Sequence, residues 1–431
     1  MTQHVVVQKP KRIGLLDHFG TGNLGDDATI QATLQHIKSR WPHALIIGLS
    51  LNPFDSERRH GIPAYAIRQE GFFPFASKDK LKDVLRKYHF LFSVLRTVTN
   101  VVIAKPMWLF REILFLAKSF RIAKSLDLLI ICGGGQLLDA WGGPWSFPYT
   151  LFKWVLLAKL SHTKCYFVNV GAGPLNYPLS KWFIKRALLL ADYVSFRDGK
   201  SRVLIREIGF RNRTRVVADS VYGLQIPDLT INRSHIGKGG GLTIGIAPMA
   251  YCDPRRYWDK DKAVYERFIR KLADFSARLI RDHHRLRLFS TDIWFDSQAI
   301  LDLELAIKNE YAIDTATWIT CHPVTGINEF LSQLSQVDCV VTCKFHGVIF
   351  AHLLNVPVLA IAHHPKVATL MDDFELSEYC VDIVKFDVDL LTGIFDRLVA
   401  NMDDIKACVP RKVAYYQREL ALQFDQLFPS A

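Results

Sequence analysis

Leu126-Asp127-Leu128-Leu129-Ile130-Ile131-Cys132-Gly133-Gly134-Gly135 reads as an apolar strand covered on both faces and closed by a glycine turn, the form a strand takes in a parallel sheet. Working outward, the same unit recurs. Upstream, a strand over Arg12–Phe19 runs into Gly20-Thr21-Gly22-Asn23-Leu24-Gly25. A helix from about Asp26 to Arg40 follows, with Ile30, Leu34 and Ile37 at helical spacing, and then a strand over Ala44–Leu49. Downstream, a helix near 147–161 precedes the strand Lys164–Val170, which stops at Gly171-Ala172-Gly173-Pro174. A helix over 179–191, the strand Tyr193–Phe196, Arg197-Asp198, a helix over 199–208 and the strand Thr214–Val217 complete the first half. Strands alternating with helices predict a doubly wound parallel sheet, whose ligands sit beyond the carboxyl ends of the strands. Every polar motif just named falls at such an end.

The sequence loosens from Gln225 through the Gly237-Lys238-Gly239-Gly240-Gly241 run, and 226–241 reads as an interdomain linker. A second α/β unit, 242–409, then runs through Leu242–Ala247, a helix over 261–282, Leu286–Ser290 and a helix over 297–309. Thr317–Thr320, a helix over 326–336, Cys339–Thr342, a helix at about 346–354 and Val358–Ala362 complete it. A last helix, 410–427 within a segment 410–431, is placed to cross back onto the first domain, 1–225. The fold class is therefore α/β, with two doubly wound parallel-sheet domains facing across a cleft. Two domains also suit 431 residues, since single cores rarely grow that large.

With 49% hydrophobic and 22% charged residues, the chain is globular rather than disordered. Met1–Arg12 lacks the apolar core of a secretory signal, and no stretch offers the roughly 18 uncharged apolar residues of a spanning helix. The eight cysteines are scattered, and the Cys339/Cys343 pair has no second pair to complete a zinc site. A reducing, cytoplasmic setting follows, with the inner face of the membrane as an option.

Of the net charge of +12, two thirds lies in 78–124, where eleven Lys/Arg stand against Asp79, Asp83 and Glu112. That basic amphipathic insertion, about 77–125, is rich in Trp, Phe and Leu. It suits either a helix in an anionic membrane interface or a helical insertion packed on the protein, and amphipathicity alone does not choose. No nucleic-acid motif accompanies the charge.

Four sets of residues could carry chemistry. In Gly20–Ala28, backbone N–H groups could meet an anion, while Asp26 and Asp27 either cap the helix or, for Asp26, bind and deprotonate a sugar hydroxyl. Gly133–Gly135 and Gly171–Pro174 let a ligand or a loop approach backbone closely. Arg197 can grip a carboxylate or phosphate, or pair with Asp198 or Asp219. Cys343-Lys344-Phe345-His346-Gly347 brings a cation, an imidazole and a helix start to one spot, with Lys366 one strand later. His346 suits proton transfer near neutral pH. His346, His363 and His364 lack a carboxylate to complete a metal set, so neither a metal nor a cofactor is expected.

These pieces in this order resemble the polysaccharide pyruvyl transferase family. The matching segments are G-N-L-G-D-D-A (22–28), G-G-G-Q-L (133–137), G-A-G-P (171–174), F-R-D-G-K-S (196–201), A-D-S-V-Y (218–222), K-F-H-G-V-I-F-A (344–351) and N-V-P-V-L-A-I through H-P-K (355–366). The resemblance implies a fold similar to the B-type glycosyltransferases, with the active site in the interdomain cleft. It implies phosphoenolpyruvate as donor and a pyruvate ketal formed on a sugar of a polysaccharide, such as an exopolysaccharide, or of a lipid-linked oligosaccharide. His346 would be the acid and Asp26 a base. Lys344, Lys366, Arg197, Gly134, Gly135, Gly173, Asn23 and Gly347 would bind substrate. The family usually has Arg where this chain has Lys344, so that contact would be a point charge rather than a fork. Two competing readings are a glycosyltransferase of the same fold using a nucleotide sugar, and a non-catalytic, membrane-associated glycan-binding protein.

Overall fold

The computed structural model describes residues 10–18, 20–69, 105–226, 241–257 and 259–429. The chain forms two compact units: residues up to Thr21 with Trp41–Val216, and Gly22–Arg40 with everything from Val217.

The first unit carries a seven-stranded sheet of β1 (Arg12–Leu16), β2 (Leu45–Ser50), β3 (Ala64–Ala66), β4 (Leu128–Cys132), β5 (Lys164–Val170), β6 (Tyr193–Phe196) and β7 (Arg215–Val216). They lie in the order β3-β2-β1-β4-β5-β6-β7, every pair parallel. The apolar run that suggested the sheet is β4, central in it, with β1 on one side and β5 on the other. All five of its residues are buried. Helices are numbered along the chain. α1 (Leu24–Arg40) follows β1 but belongs to the second unit, whereas α2 (Pro53–His60), α3 (Lys105–Lys124), α4 (Phe147–Leu160), α5 (Pro178–Leu190) and α6 (Gly199–Glu207) belong to the first.

Local chemistry sets several of these boundaries. Asn52 Oδ1 accepts the Asp55 N–H, Pro53 stands in the first turn where no N–H is needed, and Gly61 ends α2 at φ 62°. Asp198 starts α6 by accepting the Ser201 N–H at 2.6 Å. The core is packed around Leu129, Ile131, Trp154, Phe167 and Phe196, with the Trp154 indole satisfied by the Ile67 carbonyl at 3.1 Å.

The second unit holds a six-stranded parallel sheet, β10-β9-β8-β11-β12-β13. Its strands are β8 (Thr243–Ala247), β9 (Arg285–Leu288), β10 (Ile319–Cys321), β11 (Cys339–Thr342), β12 (Val358–Ala362) and β13 (Cys380–Asp382). Around it lie α7 (Lys262–Arg281), α8 (Ser297–Tyr311), the short α9 (Thr315–Trp318), α10 (Ile327–Leu334), α11 (Phe345–Leu353), α12 (Pro365–Asp373), α13 (Val388–Ala400) and α14 (Met402–Leu427). In its core Phe330 meets Phe289 edge to face at 5.4 Å and lies tilted against Phe350 at 5.2 Å.

Several boundaries differ from those read in the sequence. The first strand ends at Leu16, not Phe19. β10 begins at Ile319 because Asp314 caps a helical turn over the two residues, Thr317 and Trp318, expected to open the strand. α14 begins at Met402 and runs through Pro410, the residue expected to start it. α1 groups with the second unit. His36 stacks on Phe424 of α14 at 4.2 Å, Arg40 pairs with Asp425 at 2.7 Å, and Gln35 Oε1 accepts the Gln225 N–H. The linker reading at 226–241 falls almost wholly outside the described residues, as does the basic insertion before Lys105. Among the described residues no helix is long and apolar enough to cross a membrane.

Candidate functional site

In the second unit the C-terminal end of β11 leads through Cys343 and Lys344 into α11, which places Phe345, His346 and Gly347 in the first helical turn. Gly347 is there for packing. A Cβ on it would run into Thr342 Oγ1, so only glycine lets α11 start this close to β11. That is a different task from the substrate contact expected of it.

His346 lies between two other motifs. A Cβ at Gly25, the second residue of α1, would fall inside the imidazole at Nδ1 and Cγ, so glycine is required for the ring to rest against α1. On its other side, Nε2 lies 3.8 Å from Asp219 Oδ2. Asp219 is 3% exposed and is itself fixed, its Oδ1 accepting the Val221 N–H at 3.1 Å. A buried carboxylate therefore faces one ring nitrogen of the imidazole. G-N-L-G-D-D-A, A-D-S-V-Y and K-F-H-G thus converge on one imidazole. Asp26, the residue after Gly25, is nearly buried in the same first turn.

Asn23 holds that turn in place. Its Oδ1 accepts the Gly25 N–H at 3.0 Å, and the backbone at 22–24 pairs with the loop after β9. Leu24 N–H donates to Thr291 O at 3.0 Å and Ile293 N–H to Gly22 O at 2.9 Å. Gly22 is overlain by Trp294, which a Cβ would strike. These bonds make Asn23 a builder of the loop, beside any contact it makes to substrate.

The same loop carries two acids that sequence reasoning missed, and both face Lys344. Its ammonium sits 3.0 Å from Asp292 Oδ2 and 2.7 Å from Asp296 Oδ2. Burial works against the charge on Lys344, but the two carboxylates outweigh it and hold its pKa above the ordinary lysine value. Burial pushes Asp296 up to about 6, with Lys344 pulling it down and Asp292 pushing it further up. Asp296 also accepts the Ala250 N–H at 3.0 Å. Lys344 was expected to meet a donor anion directly. In the structure its charge is matched by two carboxylates, and it ties α11 to the loop after β9. The available signal was two acids four residues apart, just past a strand end.

Lys366 stands in the first turn of α12, its ammonium 5.8 Å from the centre of the Phe345 ring, which in turn meets His346 edge-on at 5.3 Å. The neighbouring histidines have structural tasks. His363 Nδ1 lies 2.7 Å from the Cys343 carbonyl, and burial lowers its pKa to about 3. His364 caps α12, Nδ1 accepting the Lys366 N–H at 3.2 Å.

In the first unit three more motifs meet at the ends of β4, β5 and β6. Gly171 N–H donates to Gly134 O at 2.7 Å, Leu137 N–H to Gly171 O at 3.1 Å and Gly173 N–H to Leu137 O at 2.8 Å. The two glycine loops are thereby zipped together. Gly134 and Gly173 have φ of 61° and 102°, and a Cβ at Gly135 would meet only Leu138 at 3.6 Å. Ser201 Oγ accepts the Ala172 N–H at 2.9 Å. The Arg197 guanidinium lies over Gly171, where a Cβ would come within 2.6 Å of Nε, and Nε is 3.6 Å from Asp198 Oδ2.

Comparison with known proteins adds the following. The sequence profile described as polysaccharide pyruvyl transferase matches residues 23–365. No curated protein matches the chain. Among solved structures, a glycosyltransferase from Rickettsia africae is similar with a TM-score of 0.55 and 9% identity, covering 98% of this chain and 100% of that one. The UDP-GlcNAc 2-epimerase from Methanocaldococcus jannaschii is similar with a TM-score of 0.54 and 10% identity, covering 90% and 92%. An S. aureus MnaA–UDP complex is similar at 0.54 and 9%, covering 95% and 91%. At such identities the likeness concerns the fold alone, that of the two-sheet glycosyltransferases and epimerases. The profile spans most of the chain and includes the residues gathered around His346, and so the chain belongs to the polysaccharide pyruvyl transferase family.

Proposed function

We propose that this protein transfers a pyruvyl group from phosphoenolpyruvate to a glycan as a cyclic ketal. The observation that carries the reading is the setting of His346, an imidazole fitted against Gly25, backed by the buried Asp219 and followed by Lys366 beyond the Phe345 ring.

The chemistry needs one proton delivered to carbon. His346 gives its proton to C3 of the donor, turning the enol CH2 into a methyl and leaving an oxocarbenium-like centre at C2. Asp219 stabilises the imidazolium before transfer and fixes its orientation. The positive ends of α11 and α12, with Lys366, hold the donor's carboxylate and phosphate and steady the charge as it shifts to the phosphate. One sugar hydroxyl attacks C2 and passes its proton to Asp26. A second hydroxyl of the same sugar then bonds to C2 as the C2–O bond to phosphate breaks, its proton leaving on the inorganic phosphate, and the ring closes. Lys344 acts at one remove, by holding the loop that pairs with Gly22–Leu24.

The test is incubation with phosphoenolpyruvate and a panel of glycan acceptors, reading phosphate release and the mass gain of a ketal. His346→Ala should lower kcat by about 10²–10⁴-fold, the range of a general acid, while donor affinity stays within a few-fold. Turnover by His346→Ala at the parent rate removes it from the acid's role, and release of a nucleotide from a sugar donor replaces the reading altogether.

A further inference from the structure

The helices on one side of the first sheet show a charge and apolar pattern that the chemistry above does not use. α3 packs inward through Glu112, Ser119 and Ala123, and Glu112 is paired with Lys153 of α4 at 2.9 Å and with the Tyr149 hydroxyl at 3.0 Å. The opposite face of α3 carries Leu109, Phe110, Ile113 and Leu114, each more than half exposed. One turn further on, the same outward face turns cationic with Lys118, Arg121 and Lys124.

The pattern continues across the neighbouring helices. Trp145, 61% exposed at the start of α4, leans on Tyr149 and Phe183, and Trp182 of α5, 46% exposed, leans on Phe152 and Phe183. These rings form a continuous aromatic seam from the Glu112 contact to α5. α3, α4 and α5 together contain ten lysines and arginines and a single acid, Glu112, which is buried against Lys153. The exposed charge on these helices is therefore of one sign.

A core helix does not leave four large aliphatic and aromatic side chains outside, and scattered surface apolars are not so concentrated. Apolar residues that can enter acyl chains, indole rings at the headgroup level and cations beside them are the requirements of an interfacial membrane site. A protein partner would need acids to match the cations and would leave the one-signed charge unexplained by apolar contact alone.

We infer that the outward face of α3, with Trp145 and Trp182, docks this protein on a lipid surface bearing anionic headgroups. The docking is peripheral, since no described helix spans a bilayer.

The experiment is co-sedimentation of the full chain with vesicles of neutral phosphatidylcholine and with vesicles containing phosphatidylglycerol. Binding should appear on the anionic vesicles and weaken sharply in 0.5 M salt, about 4 Å of Debye length. Arg121→Ala with Lys124→Ala should lower the partition constant by about 30-fold, about 1 kcal/mol for each charge near the surface. Phe110→Ser with Leu114→Ser should lower it at least tenfold on the same vesicles. All four positions are exposed, so the thermal unfolding midpoint should not move, and a midpoint check accompanies each variant. Parent protein left in the supernatant with both vesicle types overturns the inference. So does equal binding by parent and both variants. Concentration-dependent self-association, measured by light scattering and abolished by Phe110→Ser with Leu114→Ser, would instead assign the face to a second copy of the chain.

Discussion

Replacing Lys344 by methionine removes one cation and leaves two acids facing the space it filled. Asp292 and Asp296 are 6% and 1% exposed. Their Oδ2 atoms lie 3.0 and 2.7 Å from the ammonium, so they are at most 5.7 Å apart. Two like charges at that separation repel by about 3 kcal/mol at an effective dielectric of about 20. That repulsion agrees with the roughly 3–5 kcal/mol lost when a buried pair is broken on one side. At roughly 2–4 °C per kcal/mol for a unit of this size, the midpoint should fall by about 6–20 °C.

The pH dependence gives the sharper test. Asp296 titrates at about 6 in the folded protein and lower in the unfolded chain, so the folded state binds the extra proton and this carboxyl's contribution to stability declines as pH rises from about 4 through 6. Without Lys344 the folded value moves higher still. The deficit of Lys344→Met should therefore be largest at pH 7–8 and shrink towards pH 5, with Asp296→Asn in the same chain restoring part of it. Thermal unfolding followed by circular dichroism at several pH values reads this directly. An unchanged midpoint at pH 7, together with lost affinity for phosphoenolpyruvate, would refute the internal role and return Lys344 to the donor.

Further expectations rest on other contacts. Gly25→Ala drives a methyl group into the His346 ring, so activity should fall at least about 100-fold, with the roughly 1–3 kcal/mol of stability that overpacking costs; full activity would mean that the ring need not rest there. Asp219→Asn keeps a side-chain oxygen for the Val221 N–H but removes the charge beside His346, so kcat should drop by about 10–100-fold at nearly constant KM, as for other groups that orient a functional imidazole. Burial holds His36 at about 4 and His352 and His363 at about 3, so all three are neutral when folded and take up protons on unfolding below about pH 6.5. The stability they support is full above that pH and is lost as pH falls from about 6.5 to about 4 for His36 and to about 3 for His352 and His363. His36→Gln should blunt the loss in chemical denaturation curves; an unaltered acid transition would exclude His36 as a contributor.

How much of this was legible in the chain varied with the range of the interaction. β4 and β12 were plain because a strand buried on both faces must be apolar throughout. α6 and α7 begin where an aspartate, Asp198 or Asp261, satisfies the first free N–H groups, a signal confined to four residues. Pro410 misled because its missing N–H suits a helix start, whereas α14 runs on through it. K-F-H-G was recognisable as a helix start after a strand, which is local, but not the acids that reach Lys344 from the loop after β9.

By itself the sequence determined the two parallel sheets, the strand ends where the motifs gather and the family, because periodicity, caps and glycine turns act over a few residues. Only the tertiary structure decided that Gly25 makes room for His346, that Asp219 stands beside it, and that Lys344 answers to Asp292 and Asp296. Those pairings join segments far apart in the chain through burial and charge. Their energies depend on distances that no local pattern encodes.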